Sequence, residues 1–224
     1  MRAAVIGGGS WGSAFARYLG SLGILTRLWI REPDVLAETR RTGENAAFLP
    51  GFKFPAPVEF SDDLRETAAF GELVFVAVPS DFCRSVYGRI APVLDRDRTV
   101  VSLTKGFDKR TLMRMSQVME EVFRPPARPR LAVLSGPSFA REVAAGNPTA
   151  LVVASREPAA AREVQQAVSS ESIRAYTSTD VTGVEVAGAL KNVVAIAAGI
   201  ADAMAFGLNT RSALITRGLV EITN

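Results

Sequence analysis

The chain of 224 residues contains no histidine, and its only cysteine is Cys83. Without histidine it cannot supply a Ser-His-Asp triad or a zinc site of the Cys/His type, and we predict no metal site. A single cysteine excludes an intrachain disulfide, which favours a reducing compartment, and we expect a cytoplasmic protein. Any acid or base must therefore be lysine, aspartate, glutamate, tyrosine or Cys83. We expect Cys83 to pack in a helix rather than to act as a nucleophile.

Long apolar runs and blocks of like charge are also missing. The formal net charge is only +3, and no basic block of the kind found in nucleic-acid binding proteins is present, so we expect no nucleic-acid partner. The most apolar late stretch, VVAIAAGIA at 193–201, has about half the length of a membrane span. We therefore predict a buried helix and no membrane span there. A strand-like run begins almost at Met1, so we expect no signal peptide.

Apolar β-rich runs alternate with helical patterns along most of the chain. The predicted strands are AAVIG (3–7), TRLWI (26–30), LVFVAV (73–78), TVVSL (99–103), RLAVL (130–134) and ALVVA (150–154). Helices are predicted over 10–23, 79–94, 109–123 and 157–170, and the proline-rich segments at 50–60 and 124–130 are predicted loops. Several strands are apolar on both faces, as parallel strands covered by helices must be. The pattern predicts an α/β fold with a doubly wound, mostly parallel sheet.

The composition changes after about Ser178. From there to Asn224 the chain is rich in small residues and helical in pattern, with apolar positions on more than one helix face. We therefore expect two domains, a dinucleotide-binding domain over 1–180 and the start of a helical domain over 181–224.

A glycine pattern follows the first predicted strand and opens the first predicted helix. Gly7 would permit a tight turn, Gly9 would let the backbone approach a pyrophosphate, and Gly12 would let helix and strand pack closely. The first-turn N–H groups and the helix dipole would then hold phosphate charge. Ser10 and Trp11 lie within the same segment and are candidate cofactor contacts. The alternative is a purely structural glycine turn.

The residues that end the second strand bear on the choice of dinucleotide. An acidic side chain there would grip the ribose 2′-OH of NAD, whereas an arginine accommodates the 2′-phosphate of NADP. Arg31 precedes Glu32 in this chain. We therefore expect NADP or NAD as cofactor, with NADP slightly favoured, and the alternative is a solvated ion pair at the strand end.

Two lysines and one serine are candidates for the chemistry. Lys191 lies among apolar residues, where burial would lower its pKa and suit it to proton transfer at a carbonyl oxygen. Lys105 follows a strand at the edge where ligands bind in open α/β sheets. Gly136, Pro137 and Ser138 would open a helix and form an anion-binding corner. The alternatives are a snorkelling lysine, an exposed loop lysine and an ordinary helix start.

Several segments together resemble the bacterial NAD(P)-dependent glycerol-3-phosphate dehydrogenases. They are GGGSWGSAFA at 7–16, NAAFLPGFKFP at 45–55, SLTKGF at 102–107, LSGPSFAREVAAGNPTALVVAS at 134–155 and GVEVAGALKNVVAIAAG at 183–199. The resemblance implies a Rossmann-like sheet followed by an all-α domain. It also implies hydride transfer between NAD(P)H and dihydroxyacetone phosphate or sn-glycerol 3-phosphate, which serves glycerophospholipid synthesis.

The resemblance also implies roles for individual residues. Lys191 matches the catalytic lysine, and Lys105 matches a lysine that contacts substrate and cofactor. Gly136 and Ser138 match substrate-binding positions, and Ala140 matches a position that lines the site beside the cofactor. The substrate class implied is a small phosphorylated molecule.

The resemblance breaks off near the end of the chain. The family continues with further helices that carry an aspartate partner for the lysine and a Gly-x-x-Arg-Asn segment, and neither is found after Glu221. We therefore expect a C-terminally truncated member that binds cofactor, turns over little and forms homo-oligomers or self-associates through exposed apolar helices. The alternatives are a related hydroxyacid dehydrogenase and a non-catalytic dinucleotide-binding module.

Overall fold

A computed structural model describes residues 1–125 and 128–223. Its eight strands form one sheet in the order β3-β2-β1-β4-β5-β6-β7-β8. The strands are β1 (Arg2–Ile6), β2 (Leu25–Trp29), β3 (Val58–Ser61), β4 (Leu73–Val76), β5 (Thr99–Ser102), β6 (Arg130–Ser135), β7 (Thr149–Ala154) and β8 (Ile173–Ser178). The first six run parallel, β7 is antiparallel to β6, and β8 is parallel to β7. The predicted doubly wound, mostly parallel sheet is confirmed.

Helices cover both faces of this sheet. They are α1 (Ser10–Ser21), α2 (Pro33–Thr42), α3 (Leu64–Phe70), α4 (Ser80–Ile90), α5 (Met115–Val122), α6 (Ala140–Ala144), α7 (Pro158–Val168), α8 (Val181–Ala203) and α9 (Gly207–Thr223), with a short 3-10 helix at Ala91–Val93. Local signals start and stop several of them. Pro33 and Pro158 occupy first turns, where a missing N–H costs nothing, and Gly43 ends α2 with φ +73°.

The core divides between the two faces because side chains alternate along each strand. In β1, Ala3 and Val5 join a cluster with α1 and α7, whereas Ala4 and Ile6 join a cluster with α3, α4 and α5. Val181, at the start of α8, also belongs to the second cluster. The central strands are therefore buried on both sides, as their unbroken apolar character predicted.

Two predicted boundaries are wrong, and two strands, β3 and β8, were not predicted. The helix predicted over 109–123 begins only at Met115, because Phe107 and Arg114 pair as an isolated β-bridge and Leu112 adopts a left-handed φ of 58°. The predicted loop at 50–60 contains the start of β3, since prolines are tolerated ahead of an edge strand. No sequence signal was assigned to β8. Within the loop predicted at 124–130, Pro126 and Ala127 lie outside the described residues.

The expectation of a buried helix at 193–201 is wrong in its burial. The helix there, α8, has 23 residues, and by length and composition alone it could span a membrane, a test that core helices also pass. Its side chains at Val193, Ile196 and Ile200 are 62%, 64% and 56% exposed. Beyond its first turns, α8 packs mainly against α9, where Gly218 lies against Val194. One neighbouring helix covers only one side of α8, which explains the exposure. The other faces of α8 are left uncovered in this chain.

Candidate functional site

The glycine-rich elbow between β1 and α1 is shaped by two close approaches and one open position. Gly7 has φ +121°, and a Cβ atom there would lie 2.6 Å from the carbonyl oxygen of Ala77, which follows β4. Gly12 faces the carbonyl oxygen of Gly7 so closely that no side chain fits. A Cβ atom at Gly9, in contrast, would meet nothing within 4 Å. The backbone at Gly9 therefore faces open space, and a ligand can approach it closely.

A cleft opens in front of this elbow, where the strand order reverses between β1 and β4. Ligands of open α/β sheets bind at such a switch point, at the carboxyl ends of the strands. The cleft is lined by Gly7, Gly8, Gly9, Trp29, Arg31, Glu32, Phe48, Ala77, Val78, Pro79, Phe82, Ser85, Val86 and Arg89. One wall is thus the glycine backbone, and the opposite wall is largely apolar. Such a cleft fits an extended ligand that carries phosphates and a flat ring.

Arg31 and Glu32 lie together at the mouth of the cleft. The Arg31 Nη2 atom is 2.6 Å from Glu32 Oε1, and the Arg31 side chain is 61% exposed. Its guanidinium lies 5.6 Å from the centre of the Phe82 ring. Both residues expected to discriminate between the dinucleotides therefore face the cleft as an exposed ion pair. An exposed pair of this kind contributes little to stability and exchanges readily for a ligand phosphate.

Asn45 holds the elbow from behind, a role that no sequence pattern predicted. Its fully buried amide donates to the Gly8 carbonyl oxygen at 2.8 Å and to Ser13 Oγ at 2.9 Å. The Ser13 hydroxyl donates to the same Gly8 carbonyl at 3.1 Å. The glycine turn, which has no side chains of its own to anchor it, is therefore fixed by two polar groups from outside. The only sequence signal was the position of Asn45 at the head of NAAFLPGFKFP.

Trp11 connects the elbow to the first candidate lysine. The Nζ atom of Lys105 lies 5.4 Å from the centre of the Trp11 ring, within the range of a cation–π interaction. The indole also packs against Phe15, with 5.5 Å between ring centres. The Trp11 Nε1 atom is buried without a hydrogen-bond partner. This indole, in the first turn of α1, therefore packs against the core and also borders the site.

Two lysines, a serine and the Gly136 carbonyl group form one hydrogen-bonded cluster at the end of β6. Lys191 Nζ donates to the Gly136 carbonyl oxygen at 2.6 Å, and the Ser138 hydroxyl donates to the same oxygen at 3.3 Å. Lys105 Nζ in turn donates to Ser138 Oγ at 3.2 Å. The structure thus brings together four of the predicted site residues from three separate segments of the chain.

The environment lowers the pKa of both lysines. Burial is the main reason that the pKa of Lys105 falls from 10.5 to about 8, and the nearby Lys191 lowers it further. Burial also lowers the pKa of Lys191, although its interaction with Lys105 opposes the shift. Two ammonium groups in one half-buried corner make a strongly anion-attracting site. A lysine whose pKa is near neutrality can also exchange a proton with a bound carbonyl oxygen.

Two family models match this chain over almost its whole length. The one described as the N-terminus of NAD-dependent glycerol-3-phosphate dehydrogenase matches residues 2–161, and the one described as its C-terminus matches residues 180–224. The chain belongs to the NAD-dependent glycerol-3-phosphate dehydrogenase family. The resemblance that the sequence motifs carry is therefore confirmed.

Individual glycerol-3-phosphate dehydrogenases resemble this chain closely. The Geobacter metallireducens protein named glycerol-3-phosphate dehydrogenase (NAD(P)+) is 48% identical over 218 residues, which are 97% of this chain and 65% of that protein. The Syntrophotalea carbinolica protein of the same name is 46% identical over 100% of this chain and 67% of its own length. A crystal structure of the Coxiella burnetii glycerol-3-phosphate dehydrogenase has a TM-score of 0.90 at 35% identity and covers 99% of this chain and 67% of that one. The chain thus spans about two thirds of the length of these relatives.

The structure also locates the other residues that the sequence analysis singled out. Ser10 is exposed as the first residue of α1, and Ala140 packs in a small cluster that includes Trp11. Pro137 does not lie in a first helical turn as expected, because α6 begins at Ala140 with Phe139 as its N-cap. Cys83 is buried, and burial raises the pKa of its thiol to about 11, which agrees with a packing role.

Proposed function

We propose that this chain binds a nicotinamide dinucleotide along the cleft and directs its reactive end toward Lys105 and Lys191. One observation carries the proposal. An unbroken series of contacts runs from the glycine elbow through Trp11 and Lys105 to Ser138, Gly136 and Lys191. We call the group formed by Lys105, Ser138, Gly136 and Lys191 the lysine corner. A ligand whose phosphates lie at Gly9 can therefore reach the lysine corner by following these contacts.

The shape of the elbow supports dinucleotide binding. Gly9 leaves room where a side chain would fill the space, and the first N–H groups of α1 have no partner within the helix. Gly7, Ser10, Trp11 and Gly12 would complete the phosphate-binding segment. At the far end, Arg31 would meet a 2′-phosphate once it exchanged Glu32 for the ligand. We accordingly propose NADP or NAD, with NADP slightly favoured.

The lysine corner supports a reaction on a small phosphorylated carbonyl compound. A bound nicotinamide supplies hydride chemistry. Lys191 would give a proton to the carbonyl oxygen in one direction and remove it in the other, and Lys105 would hold negative charge beside Ser138 and Gly136. Ala140 would lie beside the cofactor. We propose dihydroxyacetone phosphate and sn-glycerol 3-phosphate as the substrate pair, since the relatives are named for glycerol 3-phosphate. The reaction would serve glycerophospholipid synthesis in the cytoplasm.

The 224-residue chain itself is proposed to bind cofactor with little turnover. Within residues 1–125 and 128–223, no carboxylate forms an ion pair with Lys105 or Lys191. Proton transfer by Lys191 would therefore lack an acidic partner. We also propose a dinucleotide-binding domain over 1–180 and the start of a helical domain over 181–224. The position of β8 at the edge of the sheet, with α8 starting soon after it, supports this division.

A pair of glycine substitutions tests the dinucleotide site. Gly9→Ala should leave the fold intact, because the Gly9 backbone has φ −70° and free space around it, but its methyl group would occupy the approach to the phosphates. We expect the affinity for NADPH and NADH, measured by calorimetry, to fall about 10-fold or more, while the melting temperature stays unchanged.

Gly88→Ala is the matched control, since Gly88 also faces open space but lies in α4. It should bind both dinucleotides like the parent chain. If Gly9→Ala bound both dinucleotides with the affinity of the parent chain, the proposed site would be contradicted.

A separate substitution tests the proposed preference for NADP. The affinities for NADPH and NADH are compared in the parent chain and in an Arg31→Ala variant, in which only the NADPH affinity should fall.

A further inference from the structure

Glu185 forms a buried polar junction that the proposed chemistry does not use. It lies in the second turn of α8, and its side chain is only 7% exposed. One carboxylate oxygen accepts from Arg114 Nη1 at 2.7 Å and from the Ser116 hydroxyl. The other accepts from the Ser116 backbone N–H at 2.7 Å. The carboxylate thus caps the first turn of α5 from a different helix, where the helix dipole favours negative charge.

The partner of Glu185 belongs to the segment that carries Lys105. Between β5 and α5 the chain runs through Lys105 and Phe107 to Arg114, and Phe107 and Arg114 pair as a β-bridge. The Arg114–Glu185 ion pair therefore joins this segment to α8. Since α8 carries Lys191, one buried ion pair connects the backbones that carry the two lysines.

The spacing along α8 transmits this anchoring to Lys191. Glu185, Gly188 and Lys191 follow one another along α8 at intervals of three residues. Each interval is about 60° short of a full helical turn, so the three residues form a row that winds gradually around the helix. Gly188, in the middle, lies so close to the Ser135 hydroxyl that no Cβ atom fits there unless it moves. A Cβ atom at Gly188 would also lie 4.0 Å from Lys105 Cγ, so α8 covers the stem of that lysine.

We propose that Glu185 is a positioning residue, which holds α8 against the Lys105 segment through Arg114 and Ser116 and thereby sets the spacing of the Lys105 and Lys191 ammonium groups. Burial of an ion pair is a poor source of net stability, and its best-attested use is to select one geometry. The functional meaning of that geometry rests on the function proposed above. The geometry itself can be tested without any ligand.

The test follows each lysine by nuclear magnetic resonance. The chain has only four lysines, Lys53, Lys105, Lys109 and Lys191, so labelling lysine with 13C at the ε position gives a simple spectrum that titrates with each ammonium group. In the parent chain the Lys105 signal should titrate with a midpoint near 8. In a Glu185→Gln variant α8 should loosen, water should enter and the lysines should separate. The Lys105 midpoint should then move from about 8 toward 10.5.

Two further variants separate positioning from general stability. Glu163→Gln removes the carboxylate of another ion pair, since Glu163, whose side chain is 36% exposed, pairs with Arg130 at 2.9 Å, and it should leave the Lys105 midpoint in place. Ser116→Ala keeps the ion pair and removes one hydrogen bond, so it should give a smaller shift in the same direction and remains usable if E185Q does not fold. A Lys105 midpoint that moves no further in E185Q or S116A than in E163Q would overturn the inference. That result would not contradict the proposal of dinucleotide binding, because the titration is measured without a dinucleotide.

Discussion

At the scale of single residues, the site depends on glycines that leave the turn without side chains and on one buried amide that holds this turn in place. Gly7, Gly9 and Gly12 leave the elbow without anchors, and Asn45 supplies two hydrogen bonds from a neighbouring loop. The glycines could be predicted because their spacing reports a local turn. Asn45 could not, because its partners are 37 and 32 residues away in the chain.

Substituting Asn45 should weaken both the fold and the elbow. In Asn45→Asp, a carboxylate oxygen would replace the amide donor and face the Gly8 carbonyl oxygen without a hydrogen between them. We expect the free energy of unfolding, measured with denaturant, to fall by about 1–3 kcal/mol or more. Asn147→Asp is the control, because Asn147 is exposed, and it should change the stability little. If Asn45→Asp and Asn147→Asp unfolded at the same denaturant concentration, this role for Asn45 would be contradicted.

The lowered pKa of Lys105 predicts a dependence of stability on pH. Because the pKa is about 8 in the folded chain and 10.5 ordinarily, the unfolded chain binds more protons between these values. Folding of the parent chain therefore carries a penalty that is complete below pH 8 and disappears as pH rises to 10.5. Lys105→Met lacks this penalty, so its stability advantage over the parent should be largest below pH 8 and should shrink above it.

Denaturant unfolding at intervals across this pH range measures the difference. Lys109→Met controls for the loss of a lysine as such, because Lys109 is 77% exposed. A difference between K105M and the parent chain that stays constant from pH 8 to 10.5 would show that Lys105 is not held in this environment.

At the scale of elements, the strands that build the site were predictable and the packing of α8 was not. The strands β1, β4, β5 and β6 are short apolar runs buried on both faces, and composition alone identifies them. β8 was missed because exposed residues such as Arg174 and Tyr176 alternate with buried ones, which dilutes its apolar character. The exposure of α8 could not be foreseen, since apolar sequence reports a preference for burial and not the presence of a partner.

Two glycines of α8 give a test of how that helix packs. Gly199→Ala should stabilise the chain by about 0.5–1 kcal/mol, because a Cβ atom there meets nothing within 4 Å and alanine favours helix. Gly188→Ala gains the same helix propensity but forces its methyl group onto the Ser135 hydroxyl, and we expect a net loss of about 1–3 kcal/mol. The free energy of unfolding of each variant is the measurement.

A third variant identifies the cause. If the contact with Ser135 is responsible, adding Ser135→Ala to Gly188→Ala should recover most of the loss, because it removes the oxygen atom in the way. Gly188→Ala and Gly199→Ala of equal stability would mean that α8 does not lie flush against the end of β6.

At the scale of the whole molecule, the chain presents a buried sheet at one end and an apolar surface at the other. Val193, Ile196 and Ile200 on α8 and Leu219 on α9 are each more than half exposed. Apolar surface of this kind seldom remains solvated. We therefore expect the 224-residue chain to self-associate, with an apparent mass in light scattering that rises with concentration.

Charge placed on this surface should reverse the association. Ile196→Lys together with Ile200→Lys should shift the chain toward a monomer, because burying two ammonium groups is costly. Leu112→Lys is the control, as Leu112 is 77% exposed but lies in the loop before α5, and it should leave the association unchanged. A parent chain that stays monomeric at every concentration would contradict the expectation.

The series of contacts from Trp11 to Lys191 has a consequence for synthesis on the ribosome. Its members lie at Trp11, Lys105, Gly136, Ser138 and Lys191, so they leave the exit tunnel at widely separated times. The elbow can close against β4 early, but the lysine corner cannot assemble until α8 has emerged. If the function proposed above holds, a nascent chain would form its phosphate-binding segment long before the two lysines come together, and the lysine pair would be the last part of the candidate site to assemble.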